Sequence, residues 1–126
     1  MAEDKRSLVE ALKAELAFIE NGGYRKLSWR PQFVFEDSPT CLNYRDPEYR
    51  RPCSECVLMQ LVPEGCRDKA VPCRHIPLNA KNETVSSLYH WADEEEIEAA
   101  VTTWLKHMIA KLEQEQIQDR VAATGA

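Results

Sequence analysis

The sequence predicts an α+β fold: amphipathic helices at the two ends pack together, and a proline-rich middle carries a short β-hairpin and a cysteine-rich loop. Three observations predict it. Apolar residues recur at helical spacing near both ends. All seven prolines fall between positions 31 and 77, where each removes a backbone donor. The five cysteines fall in the same stretch, between 41 and 73. At 126 residues the chain suits one domain, 1–126.

Over about 6–21, Leu8, Val9, Leu12, Leu16 and Ile19 share one helical face, and Gly22-Gly23 supply the stop. From 24 to 78 helical periodicity fails. Phe33 and Phe35 alternate with Gln32, Val34 and Glu36, Asp37-Ser38-Pro39 reads as a turn, and Thr40 to Tyr44 reads as a returning strand. Ser54 to Val62 looks like a short helix ended by Pro63, and Pro72 to Pro77 looks extended. Helix returns over 82–118. Val85, Leu88, Tyr89 and Trp91 suggest a short segment, and Asp93 with Glu96 forms a capping box whose neighbours Glu94 and Glu95 suit the positive end of a helix dipole. Ile97, Val101, Trp104, Leu105, Met108, Ile109 and Leu112 then make a broad apolar stripe, and 119–126 reads as a frayed tail. Such a stripe is wider than a coiled-coil seam and predicts packing on the chain's own core; a homodimer through this C-terminal helix is the alternative. Trp29, Trp91 and Trp104 are expected to seal that core, Trp104 from mid-stripe.

Bulk properties narrow the function classes. Charged residues make up 29% and hydrophobic ones 44%, the balance of a globular protein rather than a disordered one. Apolar runs such as Leu16-Ala17-Phe18-Ile19 fall far short of the roughly 18 residues of a membrane span. The charged start Met1-Ala2-Glu3-Asp4-Lys5-Arg6 has no secretory apolar region, so the thiols are expected in a reducing, cytoplasmic setting. Net charge is −5; residues 24–75 carry nine Lys/Arg against seven Asp/Glu, and residues 93–120 carry three against eight. Nucleic acid and anionic membrane are therefore not the expected partners, and another protein is.

The cysteines read Cys41-x11-Cys53-x2-Cys56-x9-Cys66-x6-Cys73-x-His75. Cys53-Ser54-Glu55-Cys56 is a C-x-x-C at the expected start of a helix, where a turn sets both sulfurs on one side and backbone N–H groups favour thiolate. Cys41 and Cys73 complete four ligands. Four thiolates suit tetrahedral Zn2+, at about 2.3 Å, and equally a [4Fe-4S] cluster. Cys66 is then left over, in a loop that reads as exposed from Pro63 to Asp68. His75 is the reserve ligand, since residues i and i+2 of an extended segment face one way. A metal would also supply order: fixing the backbone costs on the order of 1–2 kcal/mol per residue, and structural zinc returns roughly 10–16 kcal/mol.

No catalytic residue is assigned. His75, His90 and His107 are the only histidines, and no G-x-S-x-G appears. Glu94, Glu95, Glu96 and Glu98 fan around a helix and cannot converge. Tyr44, Tyr49, Arg50 and Arg51 mix aromatic and basic residues, but Asp46 and Glu48 among them make a solvated loop the plainer reading. Over 41–75, a helix-starting C-x-x-C completed by distant cysteines is similar in broad outline to treble-clef zinc modules and to small cluster-binding proteins. The expectation is a non-enzymatic, zinc-stabilised adaptor or interaction domain. An iron–sulfur protein on the same cysteines is the alternative, and a thiol–disulfide redox protein with Cys53 as nucleophile and Cys56 as resolving thiol is the third reading.

Overall fold

A computed structural model describes residues 7–25, 33–41, 43–44 and 52–124. Among the described residues there are three α-helices: α1 (Leu8–Glu20), α2 (Val85–Leu88) and α3 (Glu94–Thr124). Between α1 and α2 the chain forms single 3-10 turns at Gly23–Arg25, Cys53–Glu55, Val57–Leu61, Glu64–Cys66 and Pro72–His75.

Local chemistry sets the helix ends. Ser7 caps α1, its hydroxyl accepting from Glu10 N at 3.1 Å. At the other end Gly22 takes φ 73°, a left-handed stop open to glycine at little cost. Gly23 follows with no room for a side chain: a Cβ there would sit 2.5 Å from the Phe18 ring. Thr84 and Ser87 exchange hydrogen bonds in a capping box on α2. Asp93 and Glu96 do the same at the start of α3, at 2.8 and 3.1 Å.

The terminal helices pack together as expected, and they run antiparallel. Lys13, midway along α1, reaches Glu113 at 2.7 Å, while Tyr24 beyond the end of α1 shares a cleft with Ile97 near the start of α3. With a rise of about 1.5 Å per residue, α3 spans about 46 Å and α1 about 20 Å. The N-terminal half of α3 therefore needs another cover. The middle segment supplies it: Phe35 lies edge-on to Trp104, with ring centroids 6.1 Å apart, and Leu58, Val62, Ile76 and Leu78 join Ile97, Val101 and Leu105 in one buried core.

Several expectations are corrected. The α+β class and its hairpin are wrong: among the described residues there is no strand. The reason lies in where the backbone groups go. Three successive amides are taken by side chains, Phe33 N by Asp37 Oδ2 (2.6 Å), Val34 N by the Tyr89 hydroxyl (3.0 Å) and Phe35 N by the Tyr24 hydroxyl (2.8 Å). Glu36 N and Asp37 N close back on Val34 O and Phe33 O. Nothing is left for a ladder. Val34 and Phe35 are moreover both buried, which a strand with one solvated face forbids, and Phe35 has φ 67°. The supposed returning strand is a pair of turns, Cys41 N to Ser38 O and Tyr44 N to Cys41 O; Leu42 lies outside the described residues.

The segment from Pro72 is likewise a 3-10 turn and not extended. Ser54 to Val62 is two 3-10 turns rather than one helix. Trp91 is 61% exposed and seals nothing, whereas Trp104 is buried as expected. Trp29 lies outside the described residues. Instead of fraying after 118, α3 continues to Thr124. No helix among the described residues is long and apolar enough to cross a membrane.

Candidate metal centre

Cys41, Cys53, Cys56 and Cys73 come from three separate segments and all line one cavity. Cys53 opens the first of two consecutive 3-10 turns and Cys56 sits at the junction, its N–H donating to Cys53 O at 3.0 Å and its carbonyl accepting from Met59 N at 3.0 Å. That double turn is what sets the pair on one wall. Leu58 and Val62, buried in the next turn, anchor it to the core. Cys41 enters from the 38–44 turns and Cys73 from the Pro72–His75 turn, whose Pro72 is itself buried. The cavity encloses about 40 Å³, and Phe35, Asn43, Leu58, Met59, Val62 and Pro72 complete its lining.

All five cysteines are thiols, with no disulfide among them. The Cys73 thiol is pushed well up, by burial first, then by Glu36, and then by Cys41, Cys56 and Cys53. A metal arriving here would have to displace the Cys73 proton.

The four thiols share a cavity but not a coordination sphere. Among the described residues, no group of three or more Cys, His, Asp or Glu side chains is drawn together closely enough to hold an ion. The donor set fits a soft, thiophilic ion by chemistry. Ligation requires the sulfurs to draw closer together.

Cys66 and His75 line no part of this cavity. Cys66 ends its own 3-10 turn and packs half-buried against the core, so the loop does not leave it exposed. His75 loses its reserve role with the strand, because residues i and i+2 of a 3-10 turn point about 240° apart. Tyr49, Arg50 and Arg51 lie outside the described residues, as do Asp46 and Glu48. His90 and His107 are exposed on the surface.

An ion pair ties two walls of the cavity together. Arg74, next to Cys73, forks onto Glu36 with Nε to Oε2 at 2.6 Å and Nη2 to Oε1 at 3.0 Å. Its guanidinium lies 4.8 Å from the Phe33 ring centroid and 5.8 Å from that of Tyr89. A bidentate, half-buried pair stacked on two rings holds its geometry better than a surface contact.

Sequence reasoning missed the residues that hold the Cys41 wall. Glu15 is fully buried, and its carboxyl takes hydrogen bonds from Ser38 Oγ (2.6 Å), Thr40 Oγ1 (2.5 Å) and the Tyr24 hydroxyl. Burial pushes this carboxyl up, against the pull of Ser38, Thr40 and Tyr24. The clue was present: Glu15 interrupts the run Leu8, Leu12, Ile19 on the face that α1 buries. No family model, curated protein or solved structure matches this chain.

Proposed function

We propose that Cys41, Cys53, Cys56 and Cys73 bind one zinc ion as thiolates and that the ion is structural. A single observation carries this reading: thiols from three segments far apart in sequence line one small cavity, while the fifth cysteine stays out of it. The segment concerned has no strand and no α-helix between Arg25 and Val85 among its described residues, so an ion tying its turns together would stabilise what regular hydrogen bonding does not.

With the ion structural, the surface does the work, and the chain is an interaction domain that binds another protein. A reducing, cytoplasmic compartment keeps the thiolates available. Titration with cobalt(II), which gives thiolate-to-metal absorption in place of spectroscopically silent zinc, tests the ligand set. Wild type and Cys66→Ser should saturate at about one ion per chain, and Cys56→Ser should lose the band. Loss of the band in Cys66→Ser, or its survival in Cys56→Ser, contradicts the assignment. Brown protein with iron would transfer the site to the iron–sulfur reading.

A further inference from the structure

Glu15 lies on a different helix from every thiol, yet the segment carrying Cys41 is fastened to it. The carboxyl gathers the Ser38, Thr40 and Tyr24 hydroxyls, so both ends of the Ser38–Thr40 turn meet one buried anchor. That turn hands its geometry directly to the thiol: Cys41 N donates to Ser38 O at 3.1 Å, and Thr40 N donates to Ser38 Oγ at 3.3 Å. Tyr24 extends the anchor to the cavity's far lining, because its oxygen accepts from Phe35 N at 2.8 Å while its proton goes to Glu15. Phe35 is fully buried, lines the thiol cavity and is held at φ 67°. Such a backbone costs energy in a non-glycine residue and persists where its surroundings fix it. A carboxylate buried on the apolar face of a helix is a costly way to hold a loop, since Leu at 15 would pack without desolvation. What leucine could not do is receive three hydroxyls at fixed directions.

We infer that Glu15 is the positioning residue of the proposed centre, setting through Ser38, Thr40 and Tyr24 where Cys41 and Phe35 stand in the thiol cavity. The inference rests on the zinc reading for its consequence, but not for its geometry. It makes Glu15 act on one thiol of five.

Thiol alkylation in metal-free protein, followed residue by residue by mass spectrometry, reads this directly. In Glu15→Gln, which keeps the shape of the side chain, Cys41 should react at least about tenfold faster, the factor that corresponds to roughly 1.4 kcal/mol. Cys53, Cys56, Cys66 and Cys73 should stay within about twofold. Thr40→Val, which removes a single hydroxyl, should show the same selectivity with a smaller factor and keeps the test open if Glu15→Gln folds poorly. Uniform acceleration at all five thiols would make Glu15 a general stability element and overturn the inference, as would an unchanged Cys41. The zinc reading is separated by a second measurement. Glu15→Gln should weaken zinc binding at least about tenfold in the wild-type background and not further in Cys41→Ser, where the thiol it positions is gone. Equal losses in both backgrounds contradict the positioning role. Selective Cys41 exposure in a protein that binds no zinc at all would sustain the positioning role and refute the metal.

Discussion

Removing one oxygen atom should destabilise this fold more than truncating most of its surface. The Tyr24 hydroxyl stands between two buried groups, donating to Glu15 and accepting from Phe35 N at 2.8 Å. Phe35 is 0% exposed, so in Tyr24→Phe its amide has no water to turn to; an orphaned buried donor costs about 1–3 kcal/mol. Glu15, also 0% exposed, keeps two of its three donors, and the lost bond to a carboxylate is worth about 1.5–3 kcal/mol, less if the carboxyl carries its proton. The ring remains, so no apolar burial is lost. The two terms share one atom and are not strictly additive, which puts the expected loss at about 2–5 kcal/mol. Against a total of roughly 5–15 kcal/mol that is a large share of the stability. Urea titration followed by far-ultraviolet circular dichroism and by tryptophan fluorescence should show a lower midpoint at an unchanged slope. A loss below about 0.5 kcal/mol, the range of an ordinary surface change, would refute the view that this hydroxyl bridges two desolvated groups.

Three further outcomes follow from the same packing. Burial raises the Glu15 carboxyl above its ordinary value of 4.5, so the folded chain holds that proton more tightly than the unfolded one. Its contribution is complete below the ordinary value and is lost as pH rises through the folded value; the stability of wild type relative to Glu15→Gln should therefore fall as pH rises, and a difference that grows with pH contradicts the assignment. Leu105→Ala, at a fully buried position on α3, should cost about 2–5 kcal/mol in urea unfolding. Trp91→Ala, at a residue 61% exposed, should change stability by no more than about 0.5 kcal/mol, and a larger loss would mean that this ring is buried in solution.

The helices were legible because each is decided locally. Gly22 and the Asp93–Glu96 pair are short-range chemistry, and the stripe from Ile97 to Leu112 declares the face that α3 buries. The hairpin was misread because alternation at Phe33 and Phe35 says nothing of where amides find acceptors. Those acceptors are Tyr24 and Tyr89, 11 and 55 residues from the amides they serve. The grouping of Cys41, Cys53, Cys56 and Cys73 could be proposed from thiol spacing and the C-x-x-C turn. The rejection of His75 could not, since it depends on Pro72–His75 coiling as a 3-10 turn. Glu15 was overlooked for a simpler reason: a glutamate in a helix is ordinarily solvated, and only the side chains of a distant turn make its burial tolerable.

Everything proposed for the centre turns on whether four thiols that share a cavity close on an ion. Protein equilibrated with zinc and freed of excess should retain about one zinc per chain by elemental analysis, and stripping it with a strong chelator should lower the melting temperature sharply. Protein that retains no zinc, and melts at the same temperature with and without chelator, would contradict the account at its centre.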